Sequence, residues 1–363
     1  MSERVVVCLS GGVDSSVAAA LLVDAGHEVI GVFMRSGVSG EATGEKQGCC
    51  SVEDAMDARR VADLLGIPFY ALDFADGFDR LVDRFVEDYA RGRTPNPCVL
   101  CNRWLKFGRV LRFAREVGAR RVASGHYARV VRSGERWTVA RGRDASKDQS
   151  YVLSVLEQEQ LAALLLPLGE LRKAEVRAEA ARRGLARVAE KRDSQEICFV
   201  PGDYRDLLRR RLPASADALR PGEVRDLAGV RLGEHAGTAG FTVGQRKGLG
   251  IAAPRPLYVQ RTDPGRRLVV VGPREALARG GLEAVDATWL AACPADGEEL
   301  PGRVQLRAHG RSHPATVART PTGFRVRFAA PTEGAVPGQV AAVYDPRDEH
   351  LLCSGWIERV LVE

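Results

Sequence analysis

The chain has 363 residues, 45% apolar and 28% charged, with 53 Lys and Arg against 47 Asp and Glu and a pI near 9.0. This is an ordinary soluble globular composition in a chain too long for one typical core, so about two or three domains are expected. The longest apolar stretch, Val17 to Val23, stops at Asp24, well short of a bilayer-crossing helix, and a cytoplasmic protein with no membrane partner is expected. Eight cysteines do not make a disulfide scaffold at this length. The basic excess is weak support for a polyanionic partner.

The N-terminus leads directly into a buried strand, Arg4 to Leu9, followed by a helix from Ser15 to Ala25 and a strand from Glu28 to Met34. A helix over Val52 to Leu65, a strand over Pro68 to Phe74 and a helix over Gly77 to Arg91 follow. Arg103 to Val117 then leads into a strand at Arg120 to Ser124. Strands alternating with helices of this length imply a parallel sheet covered on both faces, with ligands beyond the carboxyl ends of its strands. The glycine loop after the first strand lies at that edge, as does the end of "RRVASGHYAR".

From Asp148 to Leu212 the pattern turns helical and basic, with Arg172, Lys173, Arg177, Arg182, Arg183, Arg187, Lys191, Arg192 and the triplet Arg209-Arg210-Arg211. Pro213 to Pro221 reads as a linker. Beyond it, "PLYVQRTDPGRRLVVVGPR" predicts a hairpin turning at Asp263-Pro264-Gly265, and short strands continue from about residue 281 to the end, a spacing that suits a small barrel. The expected division is 1–212, 213–280 and 281–363: an α/β domain with a basic helical segment, a small central domain and a C-terminal β-barrel.

The first strand opens onto Ser10-Gly11-Gly12-Val13-Asp14-Ser15-Ser16. Glycines permit tight curvature, and amides at the following helix N-terminus point toward an anion. The lysine of a Walker loop is missing. Asp14 stands in its place, an arrangement that makes sense if the carboxylate helps hold Mg²⁺ across two phosphates. The plain alternative is a helix N-cap provided by Asp14 or Ser15. The full string between strand and helix resembles the loop of the ATP pyrophosphatase (PP-loop) superfamily, whose members adenylylate their substrates and release pyrophosphate.

The second signal is "GRTPNPCVLCNRWLKFG", in which two prolines flank Asn96 and place Cys98 and Cys101 at the mouth of the next helix, where a thiol pKa is lowered. The third is "KRDSQEICFV", with Cys198 near Lys191, Arg192 and Asp193. Each cysteine taken singly is more often a small buried hydrophobe, the reading kept for Cys8, Cys293 and Cys353. His126, a lone histidine, reads as structural ahead of catalytic.

Taken together, SGGVDSS, GVFMR, GRTPNPxxxCN, SGHYAR, KDQSY, DSxxICF and GQRKGLG resemble the tRNA-specific 2-thiouridylases, in that family's order from residue 8 to residue 250. The resemblance implies a tRNA-uridine 2-sulfurtransferase with an adenine nucleotide alpha hydrolase-like domain, a small central domain and a C-terminal barrel. It implies ATP contacts from Cys8, Leu9, Ser10, Gly11, Gly12, Val13, Asp14, Ser15, Met34 and Gly125. It implies target-base contacts from Asn96, Pro97 and Cys98, and tRNA contacts from Lys147, Asp148, Gln149, His309 and Gly310. Cys101 and Cys198 become the catalytic pair. The substrate is the wobble uridine in the anticodon arm, flipped to reach the site. Its C2 oxygen is adenylylated, pyrophosphate leaves, and sulfur replaces AMP. The resemblance also implies a sulfur-carrier protein or cysteine desulfurase as sulfur source, and a monomer or weak dimer is expected. Gly244 to Gly250 reads as a glycine turn presenting Arg246 and Lys247 to phosphates.

Many family members carry Asp where this chain has Cys98. With Cys98, Cys101 and Cys198, three readings stand open: a persulfide relay closing a transient Cys101–Cys198 disulfide, a 4Fe–4S cluster on three thiolates, and structural zinc recruiting Cys49 or Cys50. The cluster is preferred, because exchanging a carboxylate for a thiolate supplies a soft ligand. Rival functions are another PP-loop synthetase, amidating or lysidine-forming, and a non-catalytic tRNA-binding or sulfur-carrier protein.

Overall fold

The computed structural model describes residues 2–37, 52–189, 191, 197–200, 202–291 and 293–361. In chain order the first domain contains β1 (Arg4–Cys8), α1 (Val13–Asp24), β2 (Glu28–Arg35), α2 (Val52–Leu65), β3 (Phe69–Asp73) and α3 (Ala75–Ala90). It continues with α4 (Pro97–Leu100), α5 (Val110–Glu116), β4 (Arg121–Ala123), β5 (Ala128–Ser133) and β6 (Arg136–Arg141). The strands and helices α6 (Gln158–Ala162), β7 (Leu164–Leu165), α7 (Lys173–Arg182) and α8 (Ala186–Ala189) complete it, and α9 (Tyr204–Arg211) follows.

The order β3-β2-β1-β4-β7, parallel throughout, is the expected sheet. Period-two alternation along β1 explains its two covered faces. Val5, Val7 and Leu9 pack with Ala19, Leu22, Ala58 and Ala62, whereas Val6 and Cys8 join the cluster containing Phe78, Phe85 and Val110. The chain builds outward from β1 through β2 to β3, then returns to set β4 on the other side of β1. The crevice at the carboxyl ends of β1 and β4 is therefore the topological switch point.

Two features of this region depart from the sequence reading. The β5–β6 hairpin was not anticipated, although Gly134 between two alternating apolar runs carries its signal, and β7 lies in a stretch read as helical. The hairpin is the domain's bracket for the barrel, through Arg141 N to Glu349 O (3.0 Å) and Arg136 Nη2 to Trp289 O (2.7 Å).

The central sheet has the order β10-β11-β8-β9, from β8 (Gly222–Arg225), β9 (Arg231–His235), β10 (Tyr258–Asp263) and β11 (Leu268–Gly272). Its β10–β11 hairpin turns where the Asp-Pro-Gly motif predicted. The 213–221 stretch is more than a tether, because its short turn at Asp217–Leu219 buries Ala218 in the first domain's core. The C-terminal strands β12 (Arg279–Trp289), β13 (Glu299–Gln305), β14 (Ser312–Thr320), β15 (Gly323–Thr332), β16 (Val340–Tyr344) and β17 (Leu351–Leu361) close into the expected barrel, ordered β12-β15-β14-β13-β16-β17. No helix among the described residues is long and apolar enough to cross a membrane.

Candidate active site

The glycine loop sits at the switch point and holds its own shape. Ser10 N donates to Ser15 Oγ (3.1 Å), and the Ser15 and Ser16 hydroxyls donate to Gly12 O (3.2 and 2.8 Å). Gly11 adopts φ +72°, and a Cβ there would lie 2.3 Å from Asp54 O on α2. On the opposite side, a Cβ at Gly125 after β4 would lie 2.7 Å from Asp14 C and Ser15 N. Both glycines are required for close approach of backbone to backbone. The N-cap of α1 is Gly12 and no side chain caps it, so neither Asp14 nor Ser15 fills the capping role, and the first amides face the crevice.

Asp14 is turned instead toward two residues that the sequence reading did not connect with the loop. Lys173 Nζ donates to both carboxylate oxygens (2.8 and 2.7 Å), and Tyr127 OH donates to Oδ1 (2.7 Å). The Lys173 side chain is only 11% exposed. It is fixed by its helix, because Val176 and Ala180 of α7 pack with Val13, Val17 and Tyr127, and Lys173 N donates to Asp144 Oδ2 (2.9 Å). A second lysine, Lys191, donates to Gly11 O (3.2 Å), Asp54 Oδ1 (2.5 Å) and Asp57 Oδ2 (3.0 Å), tying the stretch before Cys198 to the back of the loop.

Of the other expected nucleotide contacts, Met34 is half-buried near the end of β2, and Cys8 is buried, its thiol pushed up to about 11 by burial against a smaller lowering by Lys106. Cys8 is thus an inert thiol at neutral pH. His126 is buried with Nδ1 2.7 Å from Ser124 Oγ, and burial, aided by the Lys106 charge, holds its imidazole well below the usual histidine range. Lys106 thus lies near enough to both Cys8 and His126 for its charge to act on them, a cation that the sequence reading passed over.

The thiol segment enters from α4, where Pro97 occupies the first turn. Cys101 then begins a π-helical turn, Cys101–Arg109, and Gln160 Nε2 satisfies two carbonyls of that turn, Arg103 O (2.8 Å) and Phe107 O (2.9 Å). Cys98 is exposed, Cys101 buried and Cys198 intermediate. Cys101 belongs to the large hydrophobic cluster against which Met34, Ile197 and Cys198 also pack. Among the described residues no group of three or more His, Cys, Asp or Glu side chains is placed to hold a metal ion, so the three thiols do not present a ready-made ligand triad. Cys49, Cys50, Arg192 and Asp193 lie outside the described residues.

The expected tRNA contacts divide. Asp148 is turned inward, its side chain 7% exposed, and Gln149 Oε1 accepts from Tyr127 N (3.0 Å); Lys147 is half-buried beside them. His309 is exposed and Gly310 half-buried; with Arg307 and Arg311 they line a cavity of about 430 Å³ on the barrel. A second cavity of about 510 Å³ shares Arg307 and Glu333 with the first and reaches Gly92 and Thr94, at the foot of the Asn96-Pro97 loop. Arg246 and Lys247 are exposed. In the basic helical segment, by contrast, Arg182, Arg183, Arg187, Arg209 and Arg211 all pair with carboxylates of this chain.

A parallel sheet of this order, with a glycine loop at its switch point, defines an α/β nucleotide-binding domain. Residues 3–202 match the model of the tRNA methyl transferase HUP domain, 205–273 the tRNA methyl transferase PRC-barrel domain, and 279–357 the aminomethyltransferase beta-barrel domain. Full-length relatives narrow this. The chain is 48% identical to the tRNA-specific 2-thiouridylase MnmA of Geobacter metallireducens, over 99% of this chain and 98% of that one. It is 52% identical to the same-named protein of Kineococcus radiotolerans (94% and 95% covered) and 49% identical to that of Mycolicibacterium smegmatis (98% and 99%). The domain labels name methyl transfer, but near-complete matches at this identity outweigh labels shared by single domains. The chain belongs to the tRNA-specific 2-thiouridylase family.

Proposed function

We propose that this protein is a tRNA-uridine 2-sulfurtransferase that uses ATP to replace the C2 oxygen of the wobble uridine with sulfur. The reading is supported by an uncapped glycine loop at the carboxyl end of β1 in a chain whose Cys101 and Cys198 both pack in the large hydrophobic cluster of the first domain. The uracil C2 oxygen is a very poor leaving group. Transfer of AMP to it, with pyrophosphate held by the loop amides and the Ser10, Ser15 and Ser16 hydroxyls, converts it into a good one. Bound Mg²⁺ would neutralise the departing phosphates, with Asp14 as its protein partner.

Sulfur then enters through thiols. Cys198 accepts sulfane sulfur from a carrier protein or cysteine desulfurase as a persulfide. Its terminal sulfur attacks C2 and AMP leaves with the bonding pair. Cys101 thiolate then attacks the Cys198 sulfur, releasing the thiocarbonyl and forming a Cys101–Cys198 disulfide that a dithiol reductant reopens. The relay needs only the Cys101–Cys198 pair, whereas a 4Fe–4S cluster would need the exposed Cys98 as a third ligand. Asn96, Pro97 and Cys98 line the entry for the flipped base. The two joined cavities, with Arg246 and Lys247, support an anticodon arm lying across the barrel and central domain, and such binding weakens with salt.

The test is incubation with ATP, a persulfide donor and unmodified tRNA, followed by nucleoside analysis. The expected result is 2-thiouridine with AMP and pyrophosphate in equal amounts, and loss of at least about 100-fold in thiolation for Cys101→Ala and Cys198→Ala with ATP binding retained. Release of pyrophosphate without any 2-thiouridine, undiminished in both variants, would point to an amidating or lysidine-forming synthetase. Pyrophosphate release absent under every condition would point to a non-catalytic tRNA-binding or sulfur-carrier protein.

A further inference from the structure

The loop lacks a lysine in sequence but not in space. Lys173 comes from a helix 159 residues downstream, and its ammonium sits on both oxygens of Asp14, the loop residue in the first turn of α1. We propose that Lys173 is the phosphate-binding cation of this site and that Asp14, with Tyr127, stores it between turnovers. This rests on the reading of the glycine loop as an ATP site.

Three features separate this pair from a plain structural ion pair. The Lys173 side chain is 11% exposed while Asp14 is 31% exposed, so the pair lies at the inner wall of the crevice and opens on its carboxylate side. The anchors of Lys173 do not depend on Asp14: its backbone amide is held by Asp144 and its helix by Val176 and Ala180. The flexible four-carbon stem can then swing its ammonium while the helix stays in place. Thirdly, the pair stands beside the amides that begin α1, where a phosphate would lie, and a carboxylate left uncompensated there would repel the ligand. When ATP enters, the ammonium passes from the Asp14 oxygens to phosphate oxygens. The carboxylate is thereby released for the nucleotide's metal ion. The exchange keeps a cation on each anion throughout and involves no covalent step.

The decisive comparison uses ATP in the presence of EDTA, so that no metal contributes, with adenosine as a second ligand, in Asp14→Asn and in Asp14→Asn/Lys173→Met. Adenosine affinity should match wild type in both. If Lys173 grips phosphate, the double variant should bind metal-free ATP about 10- to 100-fold more weakly than Asp14→Asn, as loss of a charged hydrogen bond implies. Asp14→Asn/Lys173→Arg, which keeps the charge, should recover most of that loss. Equal ATP affinity in Asp14→Asn and Asp14→Asn/Lys173→Met would overturn the proposal, since Lys173 would then serve only as the counter-ion of Asp14. Failure of the wild-type protein to bind either ligand would overturn the nucleotide-site reading itself.

Discussion

Asp148 illustrates how a residue expected to touch tRNA can act from inside the protein. Its carboxylate accepts from Arg141 Nη1 (2.8 Å), Ser150 Oγ (2.7 Å), Gly142 N (2.9 Å) and Ser150 N (3.3 Å). Arg141 carries the contact across to the barrel. It donates to Asp348 Oδ1 (2.7 Å), Asp348 O (2.9 Å) and Gln305 Oε1 (3.0 Å), and its guanidinium lies 3.8 Å from the centroid of the Tyr344 ring. Breaking a buried ion pair costs about 3–5 kcal/mol when the remaining charge is stranded. Arg141 would keep Asp348, so Asp148→Ala should cost about 2–4 kcal/mol, with the loss expressed at the seam between first domain and barrel. Urea unfolding measures the total, and amide exchange of β6 and β16 locates it. Thiolation at saturating tRNA should persist at low temperature and fail on warming before the wild type does. An Asp148→Ala protein that unfolds at the wild-type urea concentration while losing tRNA affinity would refute this and restore a direct contact.

Gln160→Leu should cost about 1–3 kcal/mol by orphaning Arg103 O and Phe107 O, and should speed alkylation of Cys101 in the folded protein by loosening its π-helical turn. An unchanged alkylation rate would mean that the turn is held by its packing alone. His126, kept neutral by burial, binds its proton more weakly folded than unfolded. Its contribution is therefore complete above the unfolded value of about 6.5 and is lost as pH falls toward the folded value, at up to about 1.4 kcal/mol per unit. His126→Asn should flatten the decline in stability between about pH 7.5 and 5.5 by roughly that amount. A decline as steep as in the wild type would assign the acid sensitivity elsewhere.

The parallel sheet, the loop and the barrel were legible because each is written in local pattern: period-two runs, a glycine string between strand and helix, and turn residues at regular spacing. What was not legible joins distant parts of the chain. The Tyr127–Asp14 bond spans 113 positions and the Lys173–Asp14 pair 159, and no motif at either end announces the other. The π-helical turn escaped for a different reason. One extra residue per turn hardly disturbs the apolar spacing of Cys101, Leu105 and Phe107, so the pattern reads as an ordinary helix. In the basic segment from Arg172 to Arg211, counting cations could not reveal that Arg183, Arg187 and Arg211 pair with carboxylates of α1, α2 and α3.

The loop that leads into α4 and Cys98 draws its shape from the barrel and the central domain as well as its own. Gln339 Nε2 on the barrel donates to Thr94 O (2.9 Å) and Pro95 O (3.3 Å), Thr94 N donates to Pro337 O (2.9 Å), and Arg93 Nη2 reaches Glu358 Oε1 (2.6 Å). From the central domain, Thr262 Oγ1 donates to Gly92 O (3.1 Å). Without these bonds the backbone from Gly92 to Pro95 would leave polar groups to water and lose the course that leads into α4. The barrel is thus more than a handle for nucleic acid. An arm of tRNA that bound across the two cavities would lie against Arg307, Glu333 and Gly334, the strand ends adjoining Pro337 and Gln339. Residues 92–95, which lead into α4 and Cys98, are held by the barrel and the central domain together, which gives the C-terminal domain a direct part in shaping the segment that precedes the thiols.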